Sequence, residues 1–235
     1  MSTSAVSLTA VVPCYQEVDG LARLERELIP SLEKLGRTYE ILAIDDGSTD
    51  GTGDELVKIE KRHGPFTEIS HSENKGLGAA IRTGIEYARG EWIACLDADL
   101  TFHPDYIAQM FAKQAETGAD CVSGSPFAGE MSGVALGRRV PSLCLNAFYR
   151  GLLNRNLTSF TPLFRLYRAD ALRELKLSST GFEISVEIIA KLLKAKRIVA
   201  EIPVRLTERE TGQSKLNRLR ELKNHAALTW RLLTS

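Results

Sequence analysis

Four short apolar runs along the chain each stop at a cluster of polar residues, and a stretch of helical spacing follows each one. The runs are 7–14 (SLTAVVPC), 39–44 (YEILAI), 66–71 (FTEISH) and 92–96 (WIACL). After the first, Leu21, Leu24, Leu28, Leu32 and Leu35 recur three or four residues apart, with Asp19 placed to cap them. Residues 52–62 and 78–89 read as helices, the second stopping at Gly90. Another helix opens near Pro104 and stops at Gly118, and 120–123 reads as a further strand. Such alternation predicts right-handed βαβ units: an α/β fold with a mostly parallel central sheet and helices on both faces. A chain of 235 residues suits one such domain and is short for two.

The second half is less regular. Residues 134–154 are helical, with Pro141 expected to kink or divide them. Residues 164–167 read as a strand, 183–194 as an amphipathic helix, 198–206 as a strand pair or a strand bent at Pro203, and 216–233 as a last helix. The division expected is a nucleotide-binding half (1–125), an acceptor-side half (126–217) sharing the sheet, and a C-terminal amphipathic helix (218–235).

Ligands of open α/β sheets bind beyond the carboxyl ends of the strands. Pro13, Tyr15 and Glu17 follow the first run, Asp45, Asp46 and the segment to Asp50 the second, Asn74, Lys75, Gly76 and Gly78 the third, and Asp97 and Asp99 the fourth. Asp97-Ala98-Asp99 is the sharpest element. In extended backbone, residues two apart point to one side, so both carboxylates can face a hard cation such as Mg²⁺ or Mn²⁺. A metal there would bridge a diphosphate and neutralise its charge as it leaves; the plain alternative is a surface turn. In DDGSTDGT, Asp50 or Ser48 caps the following helix, and a carboxylate at the strand end can also accept from a base N–H or a ribose hydroxyl. Residues 74–78 can bring backbone N–H groups and Lys75 to a diphosphate at a helix N-terminus. No GK[ST] follows them and no GxGxxG is present, so the P-loop and dinucleotide fingerprints do not apply.

Taken together, these motifs resemble the family 2 glycosyltransferases, which have the GT-A fold. VVPCYQE is similar to that family's V-V-P-x-Y-N-E, with Gln16 in place of Asn. DDGSTDGT, NKGLGAAIRTGIEYARGEW and DADL match in order and spacing, and FRLYRADAL, GFEISVEIIAKLLKAKRIVAEIPV and RETGQSKLN resemble the dolichyl-phosphate mannose synthase branch. The resemblance runs over 8–217. It implies sugar transfer from a nucleotide sugar, with GDP-mannose favoured and UDP-glucose a rival, and with Mg²⁺ or Mn²⁺ as cofactor. Pro13, Tyr15, Glu17 and Asp46 would contact the nucleoside, and Asp97 and Asp99 would organise the metal and diphosphate. Arg209 and Lys215, with Gly212 and Ser214, fit a loop closing over the donor and acceptor phosphates, and Arg165 is expected near the acceptor phosphate. Two departures stand out. Thr101 occupies the place of a metal-assisting Gln, and Pro126 that of the Arg in G-S-R, for which Arg138 and Arg139 are the nearest replacements. His103, just before Pro104, fits a helix cap or a surface position.

The expected reaction is an in-line displacement with inversion. A polyprenyl phosphate oxygen attacks, and because it is already anionic it needs positioning and cations more than a base. A hydroxyl acceptor would need a carboxylate base, for which Glu183 or Glu187 could serve; helix-terminal charge and a core-edge ion pair are the purely structural roles open to them. The same motifs also fit a transferase acting on a glycan or glycolipid hydroxyl, and a non-catalytic scaffold that keeps the fold. A nucleotidyltransferase would want a Gly- and Arg-rich signature after the first strand, and PCYQEVDG lacks it. Leu219, Leu222, Ala226, Trp230 and Leu233 share one face of the last helix, flanked by Arg218, Arg220, Lys223 and Arg231. That pattern suits an interfacial membrane helix, or one packed on its own domain or on a membrane-protein partner. Lys plus Arg and Asp plus Glu balance at 30 each, which argues against a nucleic-acid coat. With no spanning run of ~18 apolar residues, no signal peptide and four scattered cysteines, the expected place is the cytoplasm, peripheral to the cytoplasmic membrane face.

Overall fold

The computed structural model describes residues 5–128, 136–154, 156–206 and 218–234, the side chains of 136–142, 218 and 219 excepted. Among the described residues, seven strands form one sheet: β1 (Leu8–Cys14), β2 (Tyr39–Asp45), β3 (Phe66–Ser70), β4 (Trp92–Cys95), β5 (Cys121–Ser125), β6 (Arg165–Arg168) and β7 (Val199–Pro203). Their order is β3-β2-β1-β4-β6-β5-β7. Strand β6 runs against the others, pairing antiparallel with β4 and β5, while the remaining pairs are parallel. The predicted mostly parallel α/β sheet is present, and the insertion of β6 between β4 and β5 is what the linear pattern did not contain.

The helices described alongside the sheet are α1 (Leu21–Glu33), α2 (Thr52–Arg62), α3 (Leu77–Tyr87), α4 (Tyr106–Thr117), α5 (Leu136–Leu152), α6 (Ala169–Arg173), α7 (Ile184–Lys194) and α8 (Arg218–Thr234). Strand alternation divides the core. Leu8, Ala10 and Val12 of β1 join α1, α2 and α4 on one face, while Val11 faces α3, α6 and α7 on the other. Gly84 of α3 lies over β1, where a methyl group would collide with the Val11 side chain. Helix and strand therefore approach more closely there than any larger residue permits.

Several local expectations are corrected. Asp19 does not cap α1; it lies in a 3-10 turn over Val18–Gly20, and Gly20 stands at the helix start without a side-chain cap. Pro141 does not divide α5, which runs unbroken from Leu136 to Leu152. Residues 198–206 hold one short strand ending at Pro203, at the edge of the sheet, where a missing N–H on the outer side costs no ladder bond; the Val204 N–H still donates to Ser125 O at 3.1 Å. Among the described residues no helix is long and apolar enough to cross a membrane.

The apolar face assigned to α8 points outward. Leu222, Trp230 and Leu233 are 67, 70 and 65% exposed. The helix instead docks through Leu228 and His225, both buried. Nδ1 of His225 lies 3.0 Å from the Tyr149 hydroxyl of α5, and burial pushes the imidazole below its ordinary pKa. α5 also carries exposed apolar side chains, Leu143 and Phe148. The basic flank is only partly outward: Arg231 turns inward, its two terminal nitrogens donating to Ser178 Oγ and Ser179 Oγ at 2.6 and 3.1 Å.

Candidate active site

The carboxyl ends of β1, β2 and β4 open into one cleft of about 490 Å³. Pro13, Tyr15, Glu17, Asp46, Asp97 and Asp99 all line it. Gly181 and Phe182, just before α7, and Arg220 and Glu221, in the first turn of α8, also line it. The polar clusters that follow successive strands thus converge, as the switch point of a parallel sheet requires.

Backbone strain shapes the first loop. Gln16 has φ +56°, a left-handed conformation that Asn tolerates better than Gln. Its N–H donates to Ser48 Oγ and its side chain to Thr49 Oγ1, both at 2.9 Å, and the Glu17 N–H donates to Thr52 Oγ1 at 2.9 Å. Those bonds fasten the Tyr15–Glu17 turn to the 48–52 segment. The N-cap of α2 is Gly51, without a side-chain cap, so neither Asp50 nor Ser48 takes the capping position expected; Asp50, one residue earlier, forms an Asx turn, accepting from the N–H and hydroxyl of Thr52 at 3.0 and 2.6 Å.

Asp46 is buried, and the protein itself occupies its carboxylate. Oδ1 accepts from the Lys75 N–H at 2.9 Å and lies 2.7 Å from Nδ1 of His71, while Oδ2 accepts from the Gly76 N–H at 2.8 Å. Nε2 of His71 in turn meets Thr83 Oγ1 at 2.9 Å. Asp46 thus ties the 74–76 loop to the strand end as well as facing the cleft. Lys75 contributes its backbone, and its exposed side chain is not among those lining the cleft. His71 escaped the sequence reading, because a lone His at a strand end carries no signal of a partner 25 residues earlier.

Gly76 and Gly78 press against the loop before α7. The Gly78 N–H donates to Thr180 O at 2.8 Å. A side chain at Gly76 would strike Thr180 O and one at Gly78 would strike Ser179 O. This contact brings the second half of the chain onto the first.

Asp97 and Asp99 both line the cleft, but strand alternation does not put them there. β4 ends at Cys95 and the two sit in a turn, with the Leu100 N–H bonded to Asp97 O at 3.0 Å. Leu100 adopts φ +48°, a strained value for its type. Thr101 does not replace the absent Gln as a free ligand. Its N–H and hydroxyl donate to Asp99 Oδ1 at 3.0 and 2.7 Å and orient that carboxylate. Arg23 of α1, unforeseen in the sequence, donates to Asp99 O at 3.2 Å and braces the same turn. Two carboxylates facing a polar cleft fit an oxygen-preferring divalent cation whose remaining positions go to water and phosphate. No group of three or more His, Cys, Asp or Glu side chains adds to them among the described residues.

The cationic assignments fare differently. Arg165 is fully buried, and its guanidinium is spent inside the protein. Nε donates to Ser123 Oγ at 3.0 Å, Nη1 to Ser185 O at 2.7 Å and Nη2 to Phe160 O at 2.6 Å. It does not reach an acceptor phosphate, because β6 lies between β4 and β5 and points this side chain into the core. Arg138 and Arg139 fall in the first turn of α5, with side chains outside the described residues, and Arg209, Gly212, Ser214 and Lys215 lie outside them altogether. Pro126 follows β5 in a turn and lines no part of the cleft. His103 lies two residues before Asp105, the N-cap of α4, and is partly exposed, its Nδ1 accepting from the Asp105 N–H at 3.2 Å.

The two glutamates offered as bases separate. Glu187 is buried and fully engaged, accepting from the Ser178 and Ser179 N–H groups and from Lys191 Nζ at 2.6 Å. Burial opposes its ionisation, yet the Lys191 and backbone bonds win and bring the carboxyl down to about 2, so it is a structural anion. Glu183 is also buried. Its Oε1 accepts from the Thr180 and Gly181 N–H groups at 3.1 and 3.2 Å, while Oε2 has no hydrogen-bond partner among the described residues. Glu221, beside it, accepts from the Phe182 N–H at 3.1 Å. Burial raises the Glu221 carboxyl, the Phe182 N–H counters that, and the Glu183 charge raises it further.

The fold is shared with known proteins. The structure superposes on glucosyl-3-phosphoglycerate synthase from Mycobacterium tuberculosis, in its complex with Mn²⁺, uridine diphosphate and glucosyl-3-phosphoglycerate, with a TM-score of 0.71 at 15% identity, over 97% of this chain and 79% of that one. Mannosyl-3-phosphoglycerate synthase from Rubrobacter xylanophilus gives 0.69 at 18% identity, over 97 and 73%. A mannosyltransferase from Pyrobaculum calidifontis, in complex with GDP-mannose and Mn²⁺, gives 0.66 at 19%, over 97 and 65%. These likenesses establish the GT-A fold. Residues 9–176 match the family described as Glycosyl transferase family 2, and with the strand-end cleft in place the chain belongs to that family: it is a family 2 glycosyltransferase.

Proposed function

We propose that the protein moves a hexose from a nucleotide sugar to a polyprenyl phosphate, with Mg²⁺ or Mn²⁺ held by Asp97 and Asp99. The observation that carries the donor half is the convergence of those two carboxylates with Pro13, Tyr15, Glu17 and Asp46 in one cleft. Tyr15 and Glu17 flank the nucleoside end, and Asp46 holds the 74–76 backbone in place beside it. The metal supplies charge neutralisation to the departing diphosphate, as the Mn²⁺ complexes of the M. tuberculosis synthase and the P. calidifontis mannosyltransferase suggest by analogy. The acceptor phosphate oxygen forms a bond to the anomeric carbon, the bond from that carbon to the diphosphate oxygen breaks, and the nucleoside diphosphate leaves with the electron pair. No proton has to move. GDP-mannose is the favoured donor and UDP-glucose the rival; the two are represented among the structural neighbours' ligands.

The lipid acceptor is supported by the outward apolar side chains of α8 and α5, which include Trp230 and Phe148, with Lys223 exposed beside them. Such a surface suits peripheral docking on a bilayer. Leu222→Ser with Trp230→Ser is expected to lower flotation with anionic liposomes about tenfold while leaving the melting temperature unchanged. Equal flotation would remove the membrane from the proposal. Truncation before α8 is the poorer test, because it uncovers the core that Leu228 and His225 close.

The function is tested with purified protein, Mg²⁺ or Mn²⁺, a short polyprenyl phosphate and labelled GDP- and UDP-sugars. Label entering the organic phase with one donor, and lost with EDTA, is the expected result. Metal-dependent consumption of donor without lipid label would move the reading to a hydroxyl acceptor. The unpartnered Oε2 of Glu183 favours that second reading, as do the phosphoglycerate-named neighbours.

A further inference from the structure

The described wall of the cleft carries five carboxylates, Glu17, Asp46, Asp97, Asp99 and Glu221, and one cation, Arg220. A diphosphate donor and a phosphate acceptor do not share such a space without positive charge, since like charges at these separations repel strongly in a partly desolvated site. Asp97 and Asp99 have their charge met by the metal that the donor brings, which leaves the acceptor's charge to be met. Arg220 lies in the first turn of α8 and shares with Phe182, a residue 44% exposed, the part of the wall built from the second half of the chain. Phe182 and α8 are joined directly, the Phe182 N–H donating to Glu221 Oε2 at 3.1 Å. An arginine and an exposed aromatic side chain in the same wall match a ligand that is a phosphate at one end and hydrocarbon from the next atoms on. The apolar residues Leu222 and Ala226 follow on the outward side of the same helix.

We infer that Arg220 receives the phosphate of the acceptor and Phe182 the first apolar segment attached to it, so that α8 selects the acceptor. The inference rests on the lipid-phosphate reading above and names its binding residues. Glu221 adds discrimination, since a carboxylate next to the fork disfavours any anion that does not engage Arg220 directly.

The test separates acceptor from donor. In Arg220→Ala the KM for a short polyprenyl phosphate is expected to rise about 10- to 100-fold, the loss of one or two charge-assisted hydrogen bonds. The Kd of the nucleoside diphosphate with Mn²⁺, measured by calorimetry, is expected to stay within about twofold. Arg220→Lys is expected to restore part of the loss, because a point charge replaces the fork. Phe182→Ala is expected to raise KM for the polyprenyl phosphate several-fold and leave that for a short alkyl phosphate unchanged. A rise in the nucleoside diphosphate Kd in Arg220→Ala would assign Arg220 to the donor and overturn the inference, with the transferase reading intact; an unchanged acceptor KM would overturn it as well. Wild-type protein that labels no lipid with any donor would overturn the lipid-phosphate reading, and this inference with it.

Discussion

Asp99→Ala is expected to lose metal-dependent transfer by about a thousandfold or more, with the fold retained. A divalent cation neutralising a leaving diphosphate contributes several kcal/mol to the transition state, and with Asp99 gone only Asp97 remains at that strand end. The structural cost is small by comparison. The Asp99 carboxylate bonds the N–H and hydroxyl of Thr101, a local turn worth about 1 kcal/mol. Asp99→Asn sharpens the experiment, because the amide oxygen can keep both Thr101 bonds while the charge is removed. If loss of charge matters, Asn and Ala fail alike in transfer and differ in melting temperature. Retention of more than about a tenth of wild-type transfer by both variants, at saturating Mn²⁺, would mean that Asp99 does not hold the metal.

That turn also shows how far the sequence carried. Asp97 and Asp99 were legible as a pair because acidic residues followed an apolar run, yet the reason they share a side was not. A turn held by the Leu100 N–H and a strained Leu100 aim them, braced by Arg23 from a helix about 76 residues earlier. Six of the residues read from the ends of β1, β2 and β4 line the cleft, while Asp45 and residues 47–50 do not; in a parallel sheet the strand ends coincide, and local pattern therefore reports a long-range site. Residues from antiparallel or helical parts had no such guide. β6 reverses direction, and its Arg165 turned inward; α8 was read for amphipathicity, and its cleft-lining Arg220 and Glu221 were missed. The outward stripe of α8 was visible as a periodicity, but which face docks depended on Leu228 and His225 finding Tyr149 across 76 residues. His71 illustrates the same limit, because its two partners come from the end of β2 and from α3.

Arg165→Ala is expected to destabilise the protein by about 3–5 kcal/mol, equivalent to a fall in melting temperature of roughly 10 °C for a domain of this size. A fully buried guanidinium is tolerated only where its donors are met, and here Ser123 Oγ, Tyr167 OH, Ser185 O and Phe160 O meet them without any carboxylate. Truncation leaves two buried carbonyls and the Ser123 hydroxyl without this donor, each costing about 1–3 kcal/mol, and opens a cavity beside β5 and β6. The carbonyls are informative in their own right. Phe160 O precedes β6, and Ser185 O lies in the first turn of α7, two residues beyond Glu183, so Arg165 pins the helix start that carries Gly181 and Phe182 into the cleft wall. Arg165→Met refills most of the volume but not the donors, and is expected to recover only part of the stability. The decisive quantity is transfer per folded molecule at low temperature. If Arg165 is structural, the acceptor KM of folded Arg165→Met stays within a few-fold of wild type, while its melting temperature falls. A variant that melts like the wild type but no longer binds the acceptor would return Arg165 to the phosphate site, and would require the chain to place β6 differently from the register Cys95↔Arg165 and Ser123↔Arg165 observed here.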